Sequence, residues 1–131
     1  MDNPKYTIFI IDDDTFILNM YSIKFTKDGF NVVACSNAQD ALDKIKSGVV
    51  PDIILLDLVM PGMDGLDFLK ILRQNMLAVS SIVIILSNQS ESTDIDKAQK
   101  LKIDGYIVKA TTIPSEVVAM VKEAYEKTHH G

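Results

Sequence analysis

Pro51-Asp52-Ile53-Ile54-Leu55-Leu56-Asp57 places four aliphatic side chains in unbroken succession between a turn-forming pair and a lone carboxylate. A short apolar run without polar alternation, bounded by turn residues, reads as a strand buried on both faces. The same pattern recurs on either side. Ile8-Phe9-Ile10-Ile11 ends on Asp12-Asp13, Ile82-Val83-Ile84-Ile85-Leu86 ends on Ser87, and Tyr106-Ile107-Val108 ends on Lys109. In an open parallel sheet, ligands and chemistry collect just beyond the carboxyl ends of the strands. Three carboxylates, a hydroxyl and an ammonium are thus delivered to one edge of one sheet.

Amphipathic stretches fill the gaps between these runs. Thr15 is expected to cap a helix with Ile17, Met20, Tyr21 and Phe25 on its apolar side, stopped by Asp28-Gly29, and Asp14 also reads as a loop residue that caps this helix. A further strand follows over Asn31 to Cys35. Asn37 caps a helix with Ala38, Ala41, Leu42 and Ile45, ended by Gly48. Asp64 caps a third helix, with Asp67 in its first turn and Leu66, Leu69, Ile71 and Leu72 as its apolar positions. The fourth carries only Ile95, Ala98 and Leu101, a thin stripe that predicts the least firmly anchored element. Asp104-Gly105 turns into the last strand. Pro114 suits the first turn of a fifth helix, which buries Val117, Val118, Val121, Ala124 and Tyr125. Five strand–helix units joined by short connections predict an α/β fold: a parallel sheet with right-handed crossovers and helices on both faces.

Length and composition bound the rest. At 131 residues, with 47% hydrophobic and 24% charged side chains, the chain has the size and make-up of one globular domain. No apolar stretch approaches the roughly 20 residues that span a bilayer, and Met1 to Lys5 lacks a signal-peptide core, so a cytoplasmic protein without membrane insertion is expected. A net charge of −5 argues against direct nucleic-acid binding. Lys97, Lys100 and Lys102 read as a solvated helix face, Cys35 as a buried and unreactive thiol, and His129 and His130 as inert tail residues.

Clustered carboxylates raise one another's pKa unless a cation neutralises them. Hard oxygen donors suit Mg²⁺, which is usually held by one or two carboxylates and phosphate oxygens. Asp13 and Asp57, with a main-chain carbonyl just past Asp57, could supply such donors; no Cys/His grouping for zinc lies nearby. A lysine and a hydroxyl at the same edge stabilise transferred phosphoryl oxygens. The combination points to phosphoryl transfer with an aspartate as covalent acceptor. Asp57 stands alone at its strand end, while Asp12 and Asp13 are placed as a metal-holding pair, so Asp57 is the favoured nucleophile.

Asp12-Asp13 after the first strand, Asp57 followed by Met60-Pro61-Gly62-Met63-Asp64-Gly65, Ser87 after the fourth strand and Lys109 after the fifth strongly resemble the receiver domain of bacterial response regulators. The resemblance runs from about Tyr6 to Tyr125 and implies one receiver domain over residues 1–131, with no output domain. It implies a flavodoxin-like (βα)5 sheet of strand order 2-1-3-4-5. It also implies that Asp57 accepts a phosphoryl group from the phosphohistidine of a sensor histidine kinase or a histidine phosphotransfer protein. Mg²⁺ would be held by Asp12, Asp13, Asp57 and the carbonyl of Val59. Ser87, the Asn88 N–H and Lys109 would stabilise the phosphoryl oxygens, and Ser87 with Tyr106 would form the switch. Such a protein is a signalling switch in two-component phosphorelay, not a turnover enzyme, and it would address a downstream protein through the face formed by the fourth helix, last strand and fifth helix. Val59 and Gln89 occupy positions that influence dephosphorylation in the family.

Receivers usually place a cis proline after the lysine, where this chain has Ala110. A cis bond without proline costs about 2.5–4 kcal/mol, so a trans Lys109–Ala110 peptide is expected, with Thr111-Thr112-Ile113 adjusted to keep Lys109 in the site. Three other functions share parts of the pattern. A phosphatase of the haloacid dehalogenase type needs Asp-x-Asp-x-Thr/Val, and Phe16 breaks the motif in Asp12-Asp13-Asp14-Thr15-Phe16. A flavin carrier needs a phosphate-cradling loop where this chain has three acids. A degenerate receiver acting as a phosphorylation-independent scaffold is left with Ala110 in its favour.

Overall fold

The computed structural model describes residues 6–129, without the side chain of His129. The Met1 to Lys5 segment and His130 lie outside the described residues. In chain order the elements are β1 (Thr7–Ile11), α1 (Thr15–Lys27), β2 (Asn31–Cys35), α2 (Ala38–Lys46), β3 (Ile53–Leu56) and α3 (Gly65–Gln74). They continue as β4 (Ile82–Ser87), α4 (Ser92–Lys100), β5 (Gly105–Val108), a 3₁₀ turn (Lys109–Thr111) and α5 (Pro114–His129). All strand pairs are parallel and the sheet order is β2-β1-β3-β4-β5. This is the flavodoxin-like (βα)5 arrangement.

Strand side chains alternate between two cores, as the period of 2 requires. Phe9, Ile11, Ile54, Leu56, Val83 and Ile85 face α2, α3 and α4. Ile8, Ile10, Ile53, Leu55, Ile84 and Ile107 face α1 and α5. Because both faces are covered, every residue of β3 and β4 is buried, which is why those strands lack polar alternation. The core helix faces differ in depth. α2 buries all of Ala38, Ala41, Leu42 and Ile45, whereas α4 buries Ala98 alone and leaves Ile95 and Leu101 half-exposed.

Several local expectations shift. The cap of α1 is Asp14, not Thr15: its carboxylate accepts the N–H groups of Phe16 and Ile17 at 3.0 and 3.2 Å. Leu18 joins Tyr21 and Phe25 in the core while Ile17 and Met20 are half-buried. In α3 the deepest aromatic is Phe68, and Leu66 and Ile71 pack at the margin. Gly105 belongs to β5 and Ser87 to β4. Val118 and Ala124 lie at the edge of the α5 core stripe, which is carried by Val117, Val121 and Tyr125.

Candidate functional site

Parallel strands of similar length end together, so the residues just beyond them meet at one edge. Ile11 pairs with Leu56, Leu56 with Ile85, and Ser87 with Val108, which sets Asp12, Asp57, Ser87 and Lys109 side by side. The main chain continues the ladder past the strands: Asp12 N–H donates to the Cys35 carbonyl at 3.1 Å and Asp57 N–H to the Ile11 carbonyl at 3.0 Å. The backbone beneath both carboxylates is therefore fixed.

Asp12, Asp13 and Asp57 each offer a carboxylate oxygen, and these atoms lie within 4.8 Å of one another. Asp12 and Asp57 are buried and Asp13 is exposed, so the cluster opens to solvent on one side. Lys109 Nζ lies 2.7 Å from Asp12 Oδ2 and 3.2 Å from Asp57 Oδ2. The remaining oxygens are also engaged: Asp12 Oδ1 accepts the Asp14 N–H at 2.9 Å, and Asp57 Oδ1 the Val59 N–H at 3.2 Å. Burial pushes the Asp12 carboxyl above its usual range, with the Asp57 charge adding to it and the Lys109 hydrogen bond opposing it. Burial alone would lower the Lys109 ammonium, but its bond to Asp12 and the Asp57 charge hold it above its ordinary value. Three carboxylates against one ammonium leave two negative charges uncompensated. Hard oxygen donors in that number fit a divalent cation such as Mg²⁺.

The peptide bond between Lys109 and Ala110 is trans. Ala110 sits in the 3₁₀ turn, closed by Thr112 N–H on the Lys109 carbonyl at 3.4 Å, and the turn keeps Lys109 against the acids as expected. Ser87 is fully buried, and its Oγ accepts the Gln89 N–H at 3.2 Å. Tyr106 O–H donates to the carbonyl of the same Gln89 at 2.6 Å. One loop residue is thus gripped by both expected switch residues. Asn88 and Val59 are exposed beside Ser87 and Asp57.

Asp14 lies in the acidic run; its carboxylate caps α1 and its main-chain N–H donates to Asp12 Oδ1. Sequence reasoning gave no structural role to Gly65, although the motif containing it was plain. Its N–H donates to the Leu58 carbonyl at 3.0 Å, which joins the start of α3 to the peptide next to Asp57.

A family model described as the response regulator receiver domain matches residues 8–122. Among curated proteins, the chain is 31% identical over 123 residues to the DNA-binding response regulator MtrA of Mycobacterium tuberculosis, covering 93% of this chain and 51% of that protein. It is 31% identical over 115 residues to the alkaline phosphatase synthesis transcriptional regulatory protein PhoP of Bacillus subtilis, covering 88% and 46%. The chain therefore spans about half the length of these relatives. Of solved structures, a CheY-like receiver domain protein from Methanospirillum hungatei superposes with a TM-score of 0.86 at 22% identity, covering 95% of this chain and 97% of that one. The Francisella response regulator 1452 receiver domain gives 0.84 at 28% identity, covering 95% and 99%.

Proposed function

The chain belongs to the response regulator receiver domain family, and from that membership we propose that Asp57 accepts a phosphoryl group from a phosphohistidine on a sensor histidine kinase or a histidine phosphotransfer protein. The observation that carries this reading is the meeting of Asp12, Asp13 and Asp57 with Lys109 at one sheet edge. An Asp57 carboxylate oxygen attacks phosphorus, the O–P bond forms as the N–P bond breaks, and the electron pair returns to the imidazole nitrogen. Asp12, Asp13, Asp57 and the Val59 carbonyl would hold Mg²⁺, which when bound neutralises phosphoryl oxygen charge. Lys109 pairs with a second oxygen, and the Ser87 hydroxyl and Asn88 N–H donate to the third. A carboxylate oxygen attacks without a proton to lose, so the step calls for no separate general base.

Donation to the phosphoryl group draws Ser87 away from Gln89, which Tyr106 also holds. The β4–α4 loop then passes the change to α4, and α4, β5 and α5 present an altered face to a downstream protein. A cleft of about 290 Å³ between β5 and α5, lined by Gly105, Ile107, Met120 and Lys127 among others, lies on that face.

Intact-mass measurement after incubation with Mg²⁺ and acetyl phosphate tests the reading. A single phosphoryl adduct is expected on the wild type and none on Asp57→Asn or in EDTA. Absence of the adduct, together with amide spectra indifferent to beryllofluoride, would replace the switch by the scaffold reading.

A further inference from the structure

Gly65 opens α3, and a side chain there has nowhere to go. A Cβ built on it would lie 2.4 Å from the Asp57 carbonyl oxygen, 2.8 Å from Leu58 Cα and 3.1 Å from Leu58 Cδ2. The two tightest contacts are backbone atoms, which cannot swing aside. Gly65 is not among the glycines with positive φ, so its backbone conformation does not demand glycine; space does. Gly105 differs, since a Cβ there would meet Ile84 side-chain carbons at 3.5 and 3.6 Å, ordinary contact.

We propose that Gly65 is a positioning residue for Asp57. By bringing no side chain, it lets the first turn of α3 close directly onto the Asp57–Leu58 peptide, and this contact aims the Asp57 carboxylate and the Val59 carbonyl at the Asp12–Asp13 pair. Three bonds tie the segment together: Gly65 N–H to the Leu58 carbonyl at 3.0 Å, Val59 N–H to Asp57 Oδ1 at 3.2 Å, and the Asp64 cap on Asp67 N–H at 2.8 Å. Relieving a Cβ at Gly65 moves the Asp57 peptide by more than half an ångström, or lifts α3 off it. Either outcome rotates donors around a cation that requires near-ideal octahedral geometry. The inference rests on the cation-assisted acceptor role proposed for Asp57.

The test compares wild type, Gly65→Ala and Gly105→Ala, each checked for folding by circular dichroism and amide spectra. Mn²⁺ is titrated without any phosphoryl donor, and paramagnetic broadening of amides around Asp12 and Asp57 is followed. Half-saturation is expected to rise about tenfold or more in Gly65→Ala, as for loss of a group that orients metal ligands, and to stay within about twofold in Gly105→Ala. Acetyl-phosphate uptake should fall in parallel. A folded Gly65→Ala protein that binds Mn²⁺ as the wild type does would overturn the proposal, and so would a wild type that binds no Mn²⁺ at this edge. Should the wild type bind Mn²⁺ yet take up no phosphoryl group, the acceptor reading fails while the Mn²⁺ comparison still judges Gly65. If Gly65→Ala does not fold, Asp64→Ala frees the same turn, with Asp64→Asn as the control for lost charge. The alanine variant is then expected to bind Mn²⁺ more weakly than the asparagine variant, and equal binding overturns the proposal.

Discussion

Lys109 holds two jobs that a single substitution separates. Its ammonium is closer to Asp12 than to Asp57, so under the proposed function it would compete with an incoming cation for one carboxylate and serve the phosphoryl group at the other. Lys109→Ala is therefore expected to tighten Mn²⁺ binding while slowing uptake from acetyl phosphate by about a hundredfold, the usual cost of a lost charge-stabilising donor. A parallel loss of both would refute that division. Cys35 shows a different use of burial, which pushes its thiol up to about 12. A group whose folded pKa is raised contributes stability that is fully present below its unfolded value and is lost as pH rises through the folded one. Cys35 thus supports the fold below about pH 9.0 and progressively less toward 12, and the native protein should resist iodoacetamide at pH 8 until it is unfolded. Tyr21, Tyr106 and Tyr125, all raised by burial, act with the same sign. Cys35→Ala should flatten the alkaline fall in melting temperature. Asp12, Asp57 and Lys109 were legible because each ends an apolar run. The choice of Asp14 over Thr15 as cap was not, because adjacent residues both suit the role and only the exit path of β1 ranks them.

Helix anchoring depends on the caps and apolar positions each segment carries. Asn37 Oδ1 accepts the Asp40 N–H at 2.7 Å, and the helix beyond it buries four side chains, so Asn37→Ala should cost about 1 kcal/mol and leave α2 in place. α4 has no side-chain cap at Glu91 and one buried residue, as its thin stripe foretold. The hold on its far end was invisible in the sequence. Arg73, on α3, donates from Nε to the Leu101 carbonyl at 2.8 Å and from Nη2 to the Lys102 carbonyl at 3.0 Å, supplying partners that the end of a helix lacks. Nothing in local periodicity links Arg73 to a carbonyl 28 residues away. Because the guanidinium is partly exposed, Arg73→Ala should cost roughly 1 kcal/mol, below the range of about 1.5–3 kcal/mol for charged hydrogen bonds. Its clearer signature is faster amide exchange confined to α4, and unchanged exchange there would contradict the clamp. Phe68 escaped notice for a related reason: Leu66, Leu69, Ile71 and Leu72 already satisfied a helical stripe, and only the placement of α3 over the sheet selects which flank goes deepest.

The sheet gives the molecule a stiff centre and a softer edge at α4 and β5. β1, β3 and β4 are nearly inaccessible, and truncating Ile54, wholly buried at the centre of the sheet, should cost about 2–5 kcal/mol, a large share of a typical 5–15 kcal/mol stability. Strand order could not be read from any single run, since a buried parallel strand looks alike at the centre and near the edge; the receiver motifs supplied the order that periodicity lacks. Once the order is set, the proposed chemistry and the proposed response fall in different places. Asp12 and Asp57 stand at the ends of the inner strands β1 and β3, which neighbours flank on both sides, whereas Ser87 leads into an exposed loop and the poorly buried α4, and Tyr106 lies on the edge strand β5. A perturbation at the acids therefore meets least resistance toward α4 and β5, where few apolar contacts must be broken. Amide shifts induced by beryllofluoride with Mg²⁺ should accordingly concentrate at the acidic cluster and over residues 88–120, leaving β2 and α2 almost unmoved. Removing the Tyr106 hydroxyl by Tyr106→Phe frees the Gln89 carbonyl, so the response should shrink in α4 and β5 while the shifts at Asp12 and Asp57 persist. If the α4 response survived intact in that variant, the route would run through Ser87 and the loop alone, and Tyr106 would be a packing residue of β5.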